Sequence, residues 1–382
     1  MKVLHVVPAL APCYGGPSEA ALQMCRALRG LSVDALLLTT DAAGSTRLPV
    51  ATGRWVDFEG VPTWFFPRFA GEALKFAPGL RRWLNEQISS FDVVHVHSVF
   101  SYAPVVAGEV CRRSETPYVV RPLGTLSPYG RRRKRRRKQL FLRLFGRRLL
   151  ARAAAIHCTS ELERSQIERD FGSSNCVVVP LGVEPPTNRE PHTAGATNRA
   201  AFPYVLFLGR LHTIKNLEAL LAAFASARPL LRGKACRLWI AGRGPEELHL
   251  RKLVRELGLE ETVSFLGWLE GRRKAEILAG ASLLVLPSFA ESFGIAAAEA
   301  MAHGVPVLVS EHVALAPTIA AASAGWVVGT DRRSLGVGLQ MAFRDPGELD
   351  RRGHAARELA CRSLSWQAAA CRLKELYGRI SA

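Results

Sequence analysis

No stretch of this sequence stays apolar for the roughly 18 to 20 residues that a membrane-spanning helix needs. The opening MKVLHVVPAL is too short, and too soon interrupted by Pro8, to serve as a secretory leader. No targeting segment is read, and a cytoplasmic location is expected. Its eight cysteines include no C-x-x-C pair, which argues against a zinc knuckle or a disulfide framework and fits a reducing compartment. There is no complete G-x-G-x-x-G, no P-loop and no D-x-D carboxylate pair that would hold a divalent ion. Zinc-finger and RNP-type signatures are missing too. Acidic residues are absent altogether between Arg131 and Arg152, a gap filled by basic ones.

That segment holds twelve lysines and arginines, so it supplies two thirds of the net charge of +18. It begins with eight consecutive cations, Arg131, Arg132, Arg133, Lys134, Arg135, Arg136, Arg137 and Lys138. Leu140, Phe141, Leu144, Phe145 and Leu149 then recur near helical spacing, so a basic amphipathic helix is expected over 131–152. Such a helix suits an anionic bilayer, where each cation near the surface contributes about 1 kcal/mol. It would also grip nucleic acid, which is the less favoured reading in a chain with no recognised nucleic-acid module. A third possibility is a solvated helix whose apolar side, Leu144 and Leu149 in particular, packs on its own domain.

At 382 residues the chain fits two domains of ordinary size. Two segments open with a buried-strand pattern, a glycine-containing turn and a helix: KVLHVVPALAPCYGGPSEAAL, and YVLFLGRLHTIKNLEALLAAF from Tyr204. Strand-like runs alternate with helices after each. They are DALLLTT, DVVHVH, YVVRP, AAIHCTS and CVVVP in the first half, then RLWIAG, TVSFLG, SLLVLPS and VPVLVS in the second. This is the pattern of two doubly wound, parallel α/β domains. They are placed at 1–185 and 200–365, joined by a linker rich in Pro, Thr, Asn and Ala over 183–203. A last helix, at 366–382, is expected to return to the first domain. Ligands of open parallel sheets sit at the carboxyl ends of the strands, so two such domains facing each other would enclose a cleft.

Candidate functional residues cluster at those strand ends. Gly15 and Gly16 follow the first strand and precede a helix, where the main chain can approach a phosphate. A plain tight turn explains that pair equally well. Arg210 and Lys215, in GRLHTIKN, put a forked guanidinium and a mobile ammonium at a helix start, which suits a diphosphate. Gly242 and Gly244 follow RLWIA. His97 ends DVVHVH and is read as a nonmetal site residue, whereas His95 reads as a core histidine. Arg121, in RPLGTLSP, is a candidate for binding a substrate anion, or else a structural arginine.

The segment PSFAESFGIAAAEAMAHGVPVLVS, from Pro287 to Ser310, says most. Phe293 and Gly294 lie near a helix start and offer main-chain donors to a phosphate. Over eight helical steps Glu291 and Glu299 would stand about 12 Å apart. A carboxylate pair that flanks one glycosidic bond is closer, at roughly 5 to 9.5 Å. The two glutamates are therefore expected to touch different parts of one long ligand.

With GG near the N-terminus, then GRLHTIKN, AGRGP, FLG and ESFGIAAAEA in this order, the chain resembles the family 4 retaining glycosyltransferases of the GT-B fold. The likeness spans nearly the whole chain and is most specific in the E-x₇-E pattern. RPLGTLSP followed by a basic helix looks like the bacterial members that build surface polysaccharides on lipid carriers. The resemblance implies transfer of a hexose from a nucleotide-diphosphate sugar, GDP-mannose or a UDP-sugar, to a glycan or lipid-linked acceptor. It implies that Arg210 and Lys215 hold the diphosphate, with Gly15, Gly16, Gly242 and the amides at Phe293 and Gly294 assisting. It places Glu299 on the ribose, Glu291 by the transferred sugar, Val263 to Gly267 along the base, and His97 at the reacting centre. Arg121 and the basic run fall to the acceptor or an anionic membrane on the inner face of the plasma membrane. No metal and no cofactor beyond the nucleotide sugar are expected.

Overall fold

The computed structural model describes residues 1–127, 135–184, 203–227 and 236–381, and the chain forms two compact units. The expected linker, apart from its first two residues and Pro203, and the cations Arg131, Arg132, Arg133 and Lys134 lie outside the described residues. One unit is Met1–Gly182 with Trp366–Ala382, and the other is Val183–Ser365. All eight cysteines are free thiols. Among the described residues no helix is long and apolar enough to cross a membrane.

In the first unit the valine- and leucine-rich runs become β1 (Lys2–Val6), β2 (Asp34–Thr40), β7 (Val93–His97), β8 (Tyr118–Arg121), β9 (Ala155–Cys158) and β10 (Cys176–Val178). Short β3 (Ala42–Ala43) and β4 (Thr46–Arg47) form a separate ribbon. β5 (Trp55–Phe58) and β6 (Val61–Phe66) complete the main sheet, ordered β10-β9-β8-β7-β1-β2-β6-β5. Every pairing in that sheet is parallel except β5 with β6. The chain winds outward in one direction from β1 and in the other from β7. Side chains alternate between faces at every step along a strand. Leu4, Val6, Val94, Val96, Val120, Ile156 and Cys158 build one continuous apolar core. The residues between them, His5, His95, His97, Arg121 and His157, go to the opposite face. The terminal helix Trp366–Ser381 packs against helix Gly16–Arg29 and β7, and Tyr377 bonds to His95 on that face.

The second unit repeats the theme more regularly. β11 (Tyr204–Leu208), β12 (Arg237–Ala241), β13 (Val263–Gly267), β14 (Leu283–Leu286), β15 (Val307–Ser310) and β16 (Gly325–Val328) form one parallel sheet, ordered β13-β12-β11-β14-β15-β16. The order reverses between β11 and β14, which makes their carboxyl ends the switch point where ligands of such sheets bind.

Two features depart from the sequence expectation. The β3–β4 ribbon, the β5–β6 hairpin and β16 are additional strands. In the hairpin, Glu59 (φ 52°) and Gly60 (φ 80°) both take positive φ, the conformation of a tight type I′ connection. The basic segment is not one uniform helix. Helix Arg135–Phe141 passes through a π turn at Leu142–Gly146 into Arg147–Ala151.

Candidate active site

After β11 the chain enters Gly209, Arg210 and Leu211. The Gly209 amide donates to the Ala241 carbonyl at 2.9 Å and the Leu211 amide to the Arg243 carbonyl at 3.0 Å, lacing the loops after β11 and β12 together. Such close approach requires glycine. A Cβ on Gly242 would stand 1.9 Å from the Gly209 oxygen, and one on Gly244 2.1 Å from the Leu211 oxygen. Arg210 is exposed, and its guanidinium has no partner among the described residues.

His212 caps the single turn Thr213–Lys215 by accepting from the Ile214 amide. Asn216 then takes φ 56°, a left-handed conformation that asparagine tolerates better than most residues. Its buried side-chain amide donates to the carbonyls of Pro287 at 3.1 Å and Thr330 at 2.8 Å. The Phe289 amide in turn donates to the Ile214 carbonyl at 2.8 Å. These bonds pin the turn to the end of β14, and the Lys215 ammonium lands on the Glu291 carboxylate.

Glu291 is itself held by main-chain bonds. Its amide donates to the His312 carbonyl at 3.1 Å and its carbonyl accepts from the Ala314 amide at 3.0 Å. Ser288 Oγ stands 3.5 Å from the same carboxylate oxygen that meets Lys215. The Ser288 carbonyl accepts from Ser310 Oγ at 2.5 Å. Phe293 is buried, and Gly294 (φ 102°) directly precedes helix Ile295–Ala302, whose first amides have no intrahelical acceptor. Glu299, on that helix, pairs with Lys274 of helix Gly271–Ala279 at 2.6 Å. The two glutamates thus engage different lysines from different elements and do not form a dyad. The sequence reading missed Asn216, Ser288 and Lys274. The first had a signal, since asparagine after a one-turn helix suits a left-handed position.

In the first unit, Gly15 (φ 73°) precedes helix Gly16–Arg29. Ser18 Oγ ties the first turn to the Ala9 carbonyl at 3.1 Å, and the Tyr14 hydroxyl donates to Glu72 at 2.7 Å. His97, at the end of β7, is almost fully buried. Its Nε2 is 3.1 Å from His5 Nδ1, and its Nδ1 is 3.4 Å from Arg121 Nη1. His95 has the core role expected, with Nδ1 at 2.6 Å from the Tyr377 hydroxyl and Nε2 at 3.3 Å from His157 Nδ1. Burial and the neighbouring Arg121 charge hold all four imidazoles well below their ordinary pKa, to about 3 for His5 and for His157. Arg121 is not displayed at a surface turn. It pairs in register with His97 on β8, so its side chain falls on the same buried face.

The ring nitrogens of His5, His95 and His97 lie within 4.8 Å of one another, close enough to suggest a metal centre. All but His5 Nε2 are engaged, with one another or with His157, Tyr377 and Arg121. The adjacent guanidinium sets a positive charge against any cation there.

In the basic segment the buried side is Leu142, Leu149 and Leu150, whereas Leu140 (58%), Leu144 (57%) and Phe145 (46%) are exposed. Leu144 therefore does not pack on its own domain as expected, and Leu149 does. Leu142, Gly146, Leu149 and Leu150 make one inward face, and the Leu142 side chain lies against Gly146 within the π turn.

Two family models divide the chain between them. The Glycosyl transferase 4-like domain matches residues 15–182, and Glycosyl transferases group 1 matches residues 189–359. A D-inositol 3-phosphate glycosyltransferase of Xylanimonas cellulosilytica is 27% identical over 99% of this chain and 96% of its own length. A second D-inositol 3-phosphate glycosyltransferase, from Catenulispora acidiphila, is 33% identical over 46% of this chain, and that match spans 43% of the relative's length. A GDP-mannose-dependent alpha-(1-6)-phosphatidylinositol dimannoside mannosyltransferase of Mycobacterium tuberculosis is 32% identical over 50% of this chain and 49% of its own. Several of these matches thus span under half of the relative. Among solved structures, sucrose-phosphate synthase of Thermosynechococcus elongatus superposes with a TM-score of 0.76 at 21% identity, covering 99% of this chain and 98% of the other. HepE of Anabaena in complex with UDP-glucose gives 0.76 at 18% identity over 99% and 100%. Two parallel-sheet units with strand-end loops laced as described, and two family models spanning almost all of both, place this chain in the family 4 glycosyltransferases of the GT-B fold.

Proposed function

We propose that this protein is a retaining glycosyltransferase that moves a hexose from a nucleotide-diphosphate sugar to a glycan or lipid-linked acceptor, in the making of a surface polysaccharide. The observation that carries the reading is the contact of Lys215 with Glu291 at the switch point of the second sheet, with the start of helix Ile295–Ala302 close by in sequence. An ammonium, the exposed Arg210 guanidinium and a helix N-terminus supply the positive potential that a diphosphate needs. Glu291, next to Lys215, is then the sugar-side carboxylate, and Glu299, one element deeper, serves the ribose.

Cleavage of the sugar–phosphate bond builds negative charge on the departing diphosphate and positive charge on the anomeric carbon. Cations fixed beforehand stabilise that arrangement more than they stabilise the ground state. Lys215 is fixed in this sense, because Asn216 and the Phe289 amide hold its turn. With the charge supplied by side chains and no D-x-D present, a metal-independent transfer is the reading we favour.

Two donors fit, GDP-mannose and a UDP-sugar. A GDP-mannose-dependent mannosyltransferase is among the relatives, and HepE was solved with UDP and glucose. WaaG, described as involved in lipopolysaccharide biosynthesis, shares the fold with a TM-score of 0.69 at 15% identity. Exposed Leu140, Leu144 and Phe145 beside Arg135, Arg136, Arg137 and Lys138 support docking on an anionic membrane, as on the inner face of the plasma membrane.

Replacing Lys215 by Ala tests the assignment. A charge-assisted hydrogen bond contributes about 1.5 to 3 kcal/mol, so turnover at saturating donor should fall by roughly ten- to a hundredfold with the fold retained. Near-normal turnover would remove Lys215 from the mechanism.

A further inference from the structure

The buried face of the first sheet carries four imidazoles whose protons are fixed by the groups at the ends of two hydrogen-bond ladders. We infer that Arg121 is the positioning residue of His97. It locks that imidazole as the neutral Nε2–H tautomer and so excludes it from acid–base work.

The first ladder starts from a group that can only donate. Arg121 Nη1 lies 3.4 Å from His97 Nδ1, so Nδ1 is the acceptor. The proton of neutral His97 then sits on Nε2, which donates to His5 Nδ1 at 3.1 Å. His5 in turn carries its proton on Nε2, an atom with no partner among the described residues. The second ladder starts from a group that can only accept. The Val179 carbonyl is 2.8 Å from His157 Nε2, which must donate. His157 Nδ1 accepts from His95 Nε2 at 3.3 Å, and His95 Nδ1 accepts from the Tyr377 hydroxyl at 2.6 Å. All four rings come out as the same tautomer. The ladders are stacked on each other, since the His95 and His97 rings are 4.5 Å apart and 23° from parallel.

Among the described residues no carboxylate touches any of the rings to favour an imidazolium. The acid that faces this cluster most closely in charge terms is Glu163. Its oxygens accept from the Gly124 amide at 2.8 Å, the Thr159 amide at 2.8 Å and the Thr159 hydroxyl at 2.9 Å. The other ionisable groups acting on the face are Arg121, Tyr377 and, from helix Gly16–Arg29, Cys25. Burial and the guanidinium together keep His97 uncharged. With both nitrogens committed, His97 would serve the reaction as an oriented ring, not as a proton carrier.

The spectroscopic part of this inference concerns the first unit alone. Only its kinetic part rests on the proposed transfer and on the place at the reacting centre that the resemblance implies for His97. The test is imidazole ¹⁵N–¹H correlation spectroscopy of histidine-labelled wild-type protein between pH 5.5 and 8, with His97 assigned through a His97→Asn variant. Four non-titrating Nε2–H patterns are expected. An Nδ1–H pattern or a titrating imidazolium at His97 in the wild-type protein overturns the inference. In Arg121→Met, His97 should lose its single Nε2–H pattern, and kcat should fall roughly ten- to a hundredfold with donor KM unchanged. Arg121→Lys should restore part of both. A His97 spectrum unaltered in Arg121→Met refutes the positioning role. Altered tautomers with unchanged kcat remove His97 from the transfer step while leaving the hydrogen-bond ladder standing.

Discussion

At the residue scale the donor side depends on backbone positions that only particular side chains allow. Lys215 reaches Glu291 because Asn216 accepts a left-handed conformation and spends its amide on two carbonyls. Gly242, beside the donor role that the resemblance implies for it, lets the loops after β11 and β12 touch. With φ 137° and a Cβ due to fall 1.9 Å from a carbonyl oxygen, Gly242→Ala should destabilise the second unit by about 1–3 kcal/mol or more. Thermal melting would show a lower midpoint for this variant, and an unchanged midpoint would count against the lacing. The sequence made Lys215, Glu291 and Glu299 legible because strand ends and a helix start announce themselves locally. Lys274 was not legible. Its partner is 25 residues away on another element, and nothing in a helix-face lysine marks it out.

At the element scale the row of histidines and the basic helix each make a measurable demand. The four buried imidazoles titrate below their ordinary value in the folded state, to about 3 for His5 and His157. The unfolded chain takes up protons as pH falls through about 6.5 and the folded chain does not. Their contribution is therefore complete above about pH 6.5 and is lost progressively toward about pH 3, at up to about 1.4 kcal/mol per pH unit for each ring. Urea unfolding at pH 7, 6 and 5 should show this decline, and a flat profile would contradict the burial of neutral rings. For the basic helix, replacing Arg135, Arg136, Arg137 and Lys138 by Gln should release the protein from anionic liposomes at physiological salt while nucleotide binding persists. Unchanged sedimentation with the liposomes would rule out this surface as the docking site. The amphipathic pattern was readable from spacing, but its inward side was not. Leu142, Gly146, Leu149 and Leu150 face inward at i, i+4, i+7 and i+8, one helical face, and Leu144, which the sequence reading set beside Leu149, lies on the other side.

At the scale of the whole molecule, two parallel sheets were legible because fully buried strands read as continuous runs of valine and leucine. The edge hairpin β5–β6 was not, since Trp55–Phe58 has no buried residue, only exposed and half-buried ones in turn, and Pro62 interrupts its partner. The face of the first sheet that bears His5, His95, His97, Arg121 and His157 shows why Arg121 could be seen as functional and yet misplaced. A strand-end arginine suggests an exposed anion site, whereas register with His97 turns it inward. In both units the order of strands reverses beside the first strand, and in the second the residues proposed for the donor gather there. The most direct measurement of that proposal is a thermal-shift titration of the protein, and of Lys215→Ala, with UDP, GDP, ADP and CMP. Specific binding stabilises in proportion to affinity and concentration. The proposal requires that one nucleoside diphosphate raise the wild-type midpoint saturably and that the shift shrink in the variant. A midpoint unmoved by every nucleoside diphosphate, or an equal shift in Lys215→Ala, would contradict it.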